Sequence, residues 1–145
     1  VTFGTVTGYR PRDGVWHTPF TTLGGLRAKS TGEKPFAPPA ELLESIEERD
    51  FGIFEDPALG EVPACFLSNS DTTGGNSGSP VVDGHGRLVG INFDRVYENI
   101  AGDFAYNPEL SRNITVDVRA VFWYISRILR ADHLLTEAKI SSEKR

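Results

Sequence analysis

The run Thr72-Thr73-Gly74-Gly75-Asn76-Ser77-Gly78-Ser79-Pro80, followed at once by Val81-Val82, holds the residue types of an acyl-transfer centre. Ser77 is the candidate nucleophile. Its attack on a carbonyl would build negative charge on the carbonyl oxygen, and backbone N–H groups aimed inward from a tight turn are fixed donors for that charge. Gly75 and Ser77 would supply them, each donor contributing about 3 to 4 kcal/mol to the transition state. Glycine at position 75 permits peptide orientations that a side chain resists. Every residue in the run also favours turns, so taken alone it is equally compatible with a polar loop.

The residues that follow weigh against a plain loop. Val81-Val82-Asp83, Gly84-His85-Gly86 and Arg87-Leu88-Val89-Gly90-Ile91-Asn92-Phe93-Asp94 read as two β-prone runs joined by a glycine-rich turn, which predicts a hairpin. A nucleophile turn leading into a hairpin whose second strand returns beside it resembles the second barrel of chymotrypsin-like proteases. The lipase elbow is excluded, because it needs Gly-x-Ser-x-Gly between strand and helix and Ser79 occupies the place of the second glycine.

Several separated motifs, in order, resemble one family. These are Phe66-Leu67-Ser68, the Thr72 to Pro80 run, Leu88 to Arg95, Gly102-Asp103 and Arg112-Asn113-Ile114-Thr115-Val116-Asp117-Val118-Arg119. Upstream, Val1-Thr2-Phe3-Gly4, Pro19-Phe20-Thr21-Thr22-Leu23 and Asp50-Phe51-Gly52 extend the likeness over nearly the whole chain. Together they resemble the C-terminal part of the dipeptidyl-peptidase 7 and 11 family of bacterial serine exopeptidases. The resemblance implies a mainly β fold, the C-terminal barrel portion of a chymotrypsin-like (trypsin-type) double β-barrel. A short helix is expected before the nucleophile strand and a C-terminal α-helix after the last one. It also implies a chain several times longer, with the catalytic histidine and aspartate upstream, so this sequence is expected to be a C-terminal fragment that is inactive alone. The lack of methionine, the strand-like start Val1 to Val6 and the lack of a signal peptide agree with that expectation. Family membership further implies homodimers in the bacterial periplasm or at the cell surface.

The same resemblance assigns the substrate-facing residues. In the protease architecture the end of the strand Leu88–Phe93 walls the primary specificity pocket and pairs by backbone with substrate, which gives Asn92 and Phe93 binding roles. Arg95, just beyond, could hold a carboxylate side chain through two parallel charge-assisted hydrogen bonds. Within the family an arginine here accompanies cleavage after Asp or Glu, and a glycine accompanies cleavage after hydrophobic residues. Asp94 matches the family's amine-binding aspartate, which would recognise the free N-terminus of a peptide. As plain surface groups, Arg95 would pair with Asp94 or Glu98, and Asp94 would face solvent. Of the three histidines only His17 precedes Ser77, in an alternating apolar stretch unlike the surroundings of a catalytic base; His85 lies at the hairpin tip and His133 near the end of a helix. Asn76 cannot make the ion pair that an aspartate before the serine makes on zymogen activation, so its expected work is hydrogen bonding within the turn.

The remaining elements are read as structural. Glu41 to Arg49, after Pro38-Pro39-Ala40, suits a short amphipathic helix packed on the barrel. Val62 to Leu67 reads as the strand leading to the nucleophile loop and Asn113 to Val116 as another. Asp117 would cap a helix whose apolar face is Val118, Val121, Phe122, Ile125, Ile128 and Leu129. Residues 1–138 are assigned to the peptidase domain and 139–145 to a disordered tail.

Composition narrows the chemistry. With 39% apolar residues, a net charge of −5, a sequence pI near 5.2 and no basic stripe, nucleic-acid binding is not expected. No apolar run approaches the roughly 20 residues of a membrane span. The single cysteine, Cys65, is read as a buried strand residue, and neither a zinc site nor any cofactor is expected. The reading is a serine-type dipeptidyl aminopeptidase acting on peptides with a free N-terminus, in concert with the missing parts of the same enzyme. A glutamyl endopeptidase, which shares Gly-Asn-Ser-Gly-Ser-Pro, and a non-catalytic protease-like binding module remain open.

Overall fold

Glycine and proline punctuation divides the chain into short elements. The computed structural model describes residues 1–140. Its strands are β1 (Tyr9–Arg12), β2 (Val15–His17), β3 (Phe20–Thr22), β4 (Pro63–Ser68), β5 (Pro80–Val82), β6 (Leu88–Arg95) and β7 (Asn113–Asp117). Its α-helices are α1 (Leu23–Ala28), α2 (Ala40–Glu47), α3 (Val118–Arg127) and α4 (Asp132–Glu137). The architecture is mainly β, with two sheets and a few helices. Two compact units form: Val1–Thr21 with Ala64–Val118, and Thr22–Pro63 with the segment from Arg119 onward.

The first unit carries the strands around the nucleophile run. β1 and β2 make a small hairpin around the Asp13-Gly14 turn, where Gly14 takes φ +74°. The larger sheet has the order β3-β4-β7-β6-β5, and β7 pairs antiparallel with both β4 and β6. The expected hairpin is present, with Pro80 opposite Ile91 and Val81 opposite Gly90. In its turn the Asp83 carboxylate accepts from the N–H groups of His85 and Arg87 and pairs with the Arg87 guanidinium, which holds it well below the usual carboxylate range.

The centre of this sheet buries polar rather than apolar side chains. Along β7 the buried positions are Asn113, Thr115 and Asp117, while Ile114 and Val116 are only half-buried. Directly opposite residues share a face of the sheet, so Thr115 stands in a row with Phe66 and Asn92, and Asn113 with Ser68 and Arg95. Such burial is tolerable when each group has a partner. Thr72 Oγ1 donates to Asn113 Oδ1 at 3.1 Å, and Asn113 Nδ2 donates to Thr115 Oγ1 at 3.0 Å. Nearby, the Tyr9 hydroxyl donates to Glu98 at 2.7 Å, and burial together with that carboxylate pushes the phenol upward.

The second unit is built around aromatic residues. Phe51, Phe54 and Trp123 are buried, and the Trp123 indole N–H donates to the Asp50 carbonyl at 2.9 Å. Thr22 caps α1 by accepting from the Gly25 N–H, and α2 buries Leu42 and Ile46 as its amphipathic pattern predicts. Burial alone would raise the Asp56 carboxyl, but the Arg119 guanidinium at 2.7 Å and the N–H groups of Ala58 and Leu59 hold it below its ordinary value.

Several expectations are corrected. Val1 to Val6 is not a strand: only Val6 bridges to Ser68, with Thr7 and Asn69 exchanging backbone bonds with Leu67 and Thr5. α3 ends at Arg127, so Ile128 and Leu129 lie beyond it, and its buried residues are Trp123 and Ser126. An indole with a carbonyl to meet is buried in preference to the aliphatic stripe. His133 lies near the start of a separate helix, α4, rather than near the end of α3. Cys65 is half-buried, and desolvation pushes its thiol upward. Residues 141–145 of the expected tail lie outside the described residues.

Gly90 is where sheet geometry is least forgiving, because an added Cβ would meet Thr115 Cγ2, sit 2.6 Å from Val116 O and 3.1 Å from Phe66 Cε1. Gly90→Ala is expected to destabilise the protein by about 1 to 3 kcal/mol, read as a lowered midpoint in thermal unfolding. An unchanged midpoint would mean that β6 and β7 can part at no cost.

Candidate active site

The nucleophile run is a loop from Asp71 to Ser79, entered from β4 and left through β5, and it is anchored at both ends. At its start, buried Thr72 uses its hydroxyl on Asn113 and its carbonyl as acceptor for Arg95 NH1 at 3.2 Å. At its end, Gly78 N–H donates to Asn92 O, and Asn92 N–H donates to Ser79 O, both at 2.8 Å. Between them Asn76 Oδ1 accepts from the Thr73 N–H at 2.8 Å, the turn-bracing role expected of it. Gly75 at φ +93° and Gly78 at φ +85° supply conformations that non-glycine residues rarely adopt. No atom lies within 4 Å of an added Cβ at either glycine, so conformation and not bulk is what calls for glycine there.

These anchors leave a particular set of groups uncommitted. From Thr73 to Ser79, the N–H groups of Thr73, Asn76, Gly78 and Ser79 donate within the protein, whereas those of Gly74, Gly75 and Ser77 have no acceptor among the described residues. Ser77 is exposed, and its hydroxyl donates to the Phe93 carbonyl at 3.0 Å. No histidine is bonded to it among the described residues. His17 packs its ring on Tyr9 at 5.1 Å between centroids, and His85 sits exposed in the β5–β6 turn. A hydroxyl without a base is a weak nucleophile at neutral pH.

β6 supplies the other side of the site. Asn92 pairs with Thr115 but Asp94 with the adjacent Ile114, so Phe93 is the extra residue of a bulge. Bulges re-aim side chains and often lie beside active sites. Here Phe93 is 56% exposed, with its carbonyl turned to Ser77. Asn92, for which a binding role was expected, is buried, and both its backbone groups are bonded to the nucleophile loop, which leaves Phe93 as the first residue of β6 past that backbone pairing.

Asp94 is exposed, and its Oδ1 accepts only the backbone N–H of Arg95, at 2.7 Å. Arg95 pairs with neither of the two carboxylates suggested by proximity in sequence. Glu98 is taken by Tyr9, and the guanidinium instead meets Asp103 through NH1 at 2.7 Å. Hydrogen bonding to Asp103 holds the Arg95 cation above its already high ordinary value. Thus Ser77 is bonded to Phe93 of β6, and Arg95, two residues on, is bonded to Thr72 of the loop that carries Ser77 and Gly75.

Three residues of this arrangement carry no assigned role in the sequence reading: Thr72, Asn113 and Asp103. The period-two row Asn113, Thr115, Asp117 was the available signal for Asn113, since polar residues alternating with Ile114 and Val116 mark a strand whose inward face is polar, and for Thr72 there was only its place in the nucleophile run. For Asp103 only its place in the Gly102-Asp103 motif was available. Among the described residues no three His, Cys, Asp or Glu side chains gather as metal ligands, and no helix is long and apolar enough to cross a membrane.

Comparison with known proteins bears on the same constellation. The chain is 40% identical to the Asp/Glu-specific dipeptidyl-peptidase of Shewanella putrefaciens over 94% of its own length and 22% of the relative's. It is 43% identical to a dipeptidyl-peptidase 7 of Phocaeicola vulgatus over 97% of its length and 19% of the relative's. Among solved structures, Porphyromonas endodontalis DPP11 in complex with the dipeptide Arg-Asp matches with a TM-score of 0.94 and 32% identity, covering 98% of this chain and 20% of that one. The chain therefore spans about a fifth of the length of these relatives. The sequence model described as peptidase S46 matches residues 1–140, the same stretch that holds every strand, loop and side chain described above, and the chain belongs to that family.

Proposed function

We propose that this chain is the nucleophile-bearing part of a serine-type dipeptidyl-peptidase, and that the full-length enzyme releases N-terminal dipeptides whose second residue is Asp or Glu. The observation that carries this reading is the Ser77 loop, in which the Gly75 and Ser77 amides are uncommitted and the hydroxyl lies 3.0 Å from the Phe93 carbonyl, with Arg95 at the end of the same strand. Ser77 attacks the carbonyl of the second residue after a base from elsewhere in the full-length protein takes its proton. The Gly75 and Ser77 N–H groups receive the oxyanion, the shortened peptide leaves as an amine, and water releases the dipeptide from the serine ester. The Phe93 carbonyl, freed of the serine hydroxyl, accepts the N–H of the acidic residue.

The choice of the acidic branch rests on Arg95. Identity does not separate the branches, since relatives named Asp/Glu-specific dipeptidyl-peptidase and dipeptidyl-peptidase 7 match at 40% and 43%. A guanidinium at the end of β6 gives an acidic side chain a planar, paired partner, whereas a hydrophobic side chain would offer no acceptor to its open Nε and NH2 donors. The dipeptide Arg-Asp held by the similar DPP11 structure has its acidic residue in second place. Asp94, exposed just before Arg95, gives the peptide's α-ammonium a counter-charge. In the complete enzyme the five-stranded sheet belongs to the second barrel of a chymotrypsin-like pair, and the enzyme works as a homodimer in the periplasm or at the cell surface.

Three measurements on the full-length enzyme test this. Ser77→Ala is expected to lower kcat by at least about 10⁴-fold, and N-acetylating a Glu-bearing peptide substrate is expected to cost about 10²-fold or more in kcat/KM through the unpaired recognition carboxylate. Equal cleavage of the blocked and free peptides would identify an endopeptidase instead. Arg95→Gly is expected to lower kcat/KM for Glu and Asp substrates by about 10²-fold and to leave hydrophobic substrates equal or better. Unchanged preference for acids in that variant would remove Arg95 from specificity.

A further inference from the structure

We propose that Asp103 is a positioning residue for specificity: it saturates one end of the Arg95 guanidinium so that an acidic side chain docks side-on, across Nε and NH2. The inference rests on the reading of Arg95 given above.

A guanidinium offers five N–H donors in a rigid fork. In this structure both NH1 hydrogens have acceptors, Thr72 O at 3.2 Å and Asp103 Oδ1 at 2.7 Å, whereas Nε and NH2 have none among the described residues. The remaining edge is one of the two on which a carboxylate can form parallel charge-assisted bonds. Arg95 is also the more buried partner, its side chain 22% exposed against 49% for Asp103, so the pair is anchored at the arginine end. With only the Thr72 carbonyl at NH1, a long arginine side chain would sample more rotamers, and binding would have to order it each time.

The segment bearing Asp103 is itself fixed. Asn99 is buried and its Oδ1 accepts from Ser111 Oγ at 2.7 Å, while Gly102 N–H donates to Asn99 O at 2.9 Å. An added Cβ at Gly102 would lie 2.7 Å from Asn99 Cγ, so only glycine lets the turn close here. The order of support therefore runs from Ser111 through Asn99 and Gly102 to Asp103, and from Asp103 to the cation. Asp103 also carries a negative charge toward the place an acidic side chain must occupy. That charge is offset by Arg95 only while the two remain paired, which ties the preference for acids to the pair rather than to the arginine alone.

The test uses the full-length enzyme and two substrates differing only in Glu or Gln as second residue, with Asp103→Ala, Asp103→Asn and Arg95→Gly compared. Asp103→Ala is expected to lower the Glu-over-Gln ratio of kcat/KM about tenfold, mainly by raising KM for the Glu substrate. Asp103→Asn keeps an acceptor for NH1 and is expected to retain most of the ratio. Loss of both activities in step, or an unchanged ratio in Asp103→Ala, overturns the proposal. If Asp103→Ala fails to fold, as judged by thermal unfolding, the asparagine variant decides: a ratio as low as that of Arg95→Gly would show that bond geometry at NH1 is not what matters. An Arg95→Gly enzyme that keeps the wild-type ratio would instead sink the reading of Arg95 itself, whatever Asp103 does.

Discussion

The site depends on a loop being tied to two neighbouring strands at once. Thr72 is bound through its hydroxyl to β7 and through its carbonyl to the side chain at the end of β6, and Gly78 and Ser79 are paired with the backbone of Asn92. A free loop of this length would spend its time in many conformations, and each residue fixed costs about 1 to 2 kcal/mol of backbone entropy. The anchors meet part of that cost before any substrate arrives, as the donors proposed for the oxyanion require. They also define which amides remain available around the serine: Thr73, Asn76, Gly78 and Ser79 are consumed in holding the loop, and Gly74, Gly75 and Ser77 are left.

Anchoring of this kind explains why the sheet buries polar side chains where an ordinary sheet would bury aliphatic ones. Asn113 accepts from Thr72 and donates to Thr115, so a single buried amide joins the nucleophile loop to the centre of the sheet. Each such bond contributes only about 1 kcal/mol when made, but leaving one partner unpaired costs about 1 to 3 kcal/mol. The network thereby penalises misplacement more than it rewards formation. Arg95 extends the same logic outward, since it lies opposite Asn113 in the sheet and binds the Thr72 carbonyl with one hand of its fork. The group proposed to read the substrate and the loop proposed to cut it thus share an anchor residue.

Much of this was legible in the residues. The hairpin Pro80–Val82 with Leu88–Arg95 follows from two β-prone runs around an Asp-Gly turn, and α2 from its apolar spacing after a proline. The turn role of Asn76 follows from the short reach of an amide side chain in a glycine-rich loop. Less was legible where two segments compete for one face. In α3 the aliphatic stripe suggested one buried side, but Trp123 has the larger surface to remove from water and finds a carbonyl for its indole at Asp50, so the helix turns that residue inward. Nor was it legible that both backbone groups of Asn92 are bonded to Gly78 and Ser79, because those partners lie on a separate segment.

By itself, the sequence determined what depends on neighbours along the chain: the glycines that take positive φ around Ser77, the two-residue period of the strands, and the presence of a serine, an arginine and an aspartate within reach of one loop and one strand. These are set by steric limits on φ and ψ and by side-chain alternation, which act over a few residues. Only the tertiary structure decided that Arg95 pairs with Asp103 and not with Asp94 or Glu98, that β7 turns Asn113 and Thr115 inward, and which amides of the loop stay free. Those outcomes depend on segments tens of residues apart arriving at one place, where a limited number of hydrogen-bond partners is shared among more groups than it can satisfy.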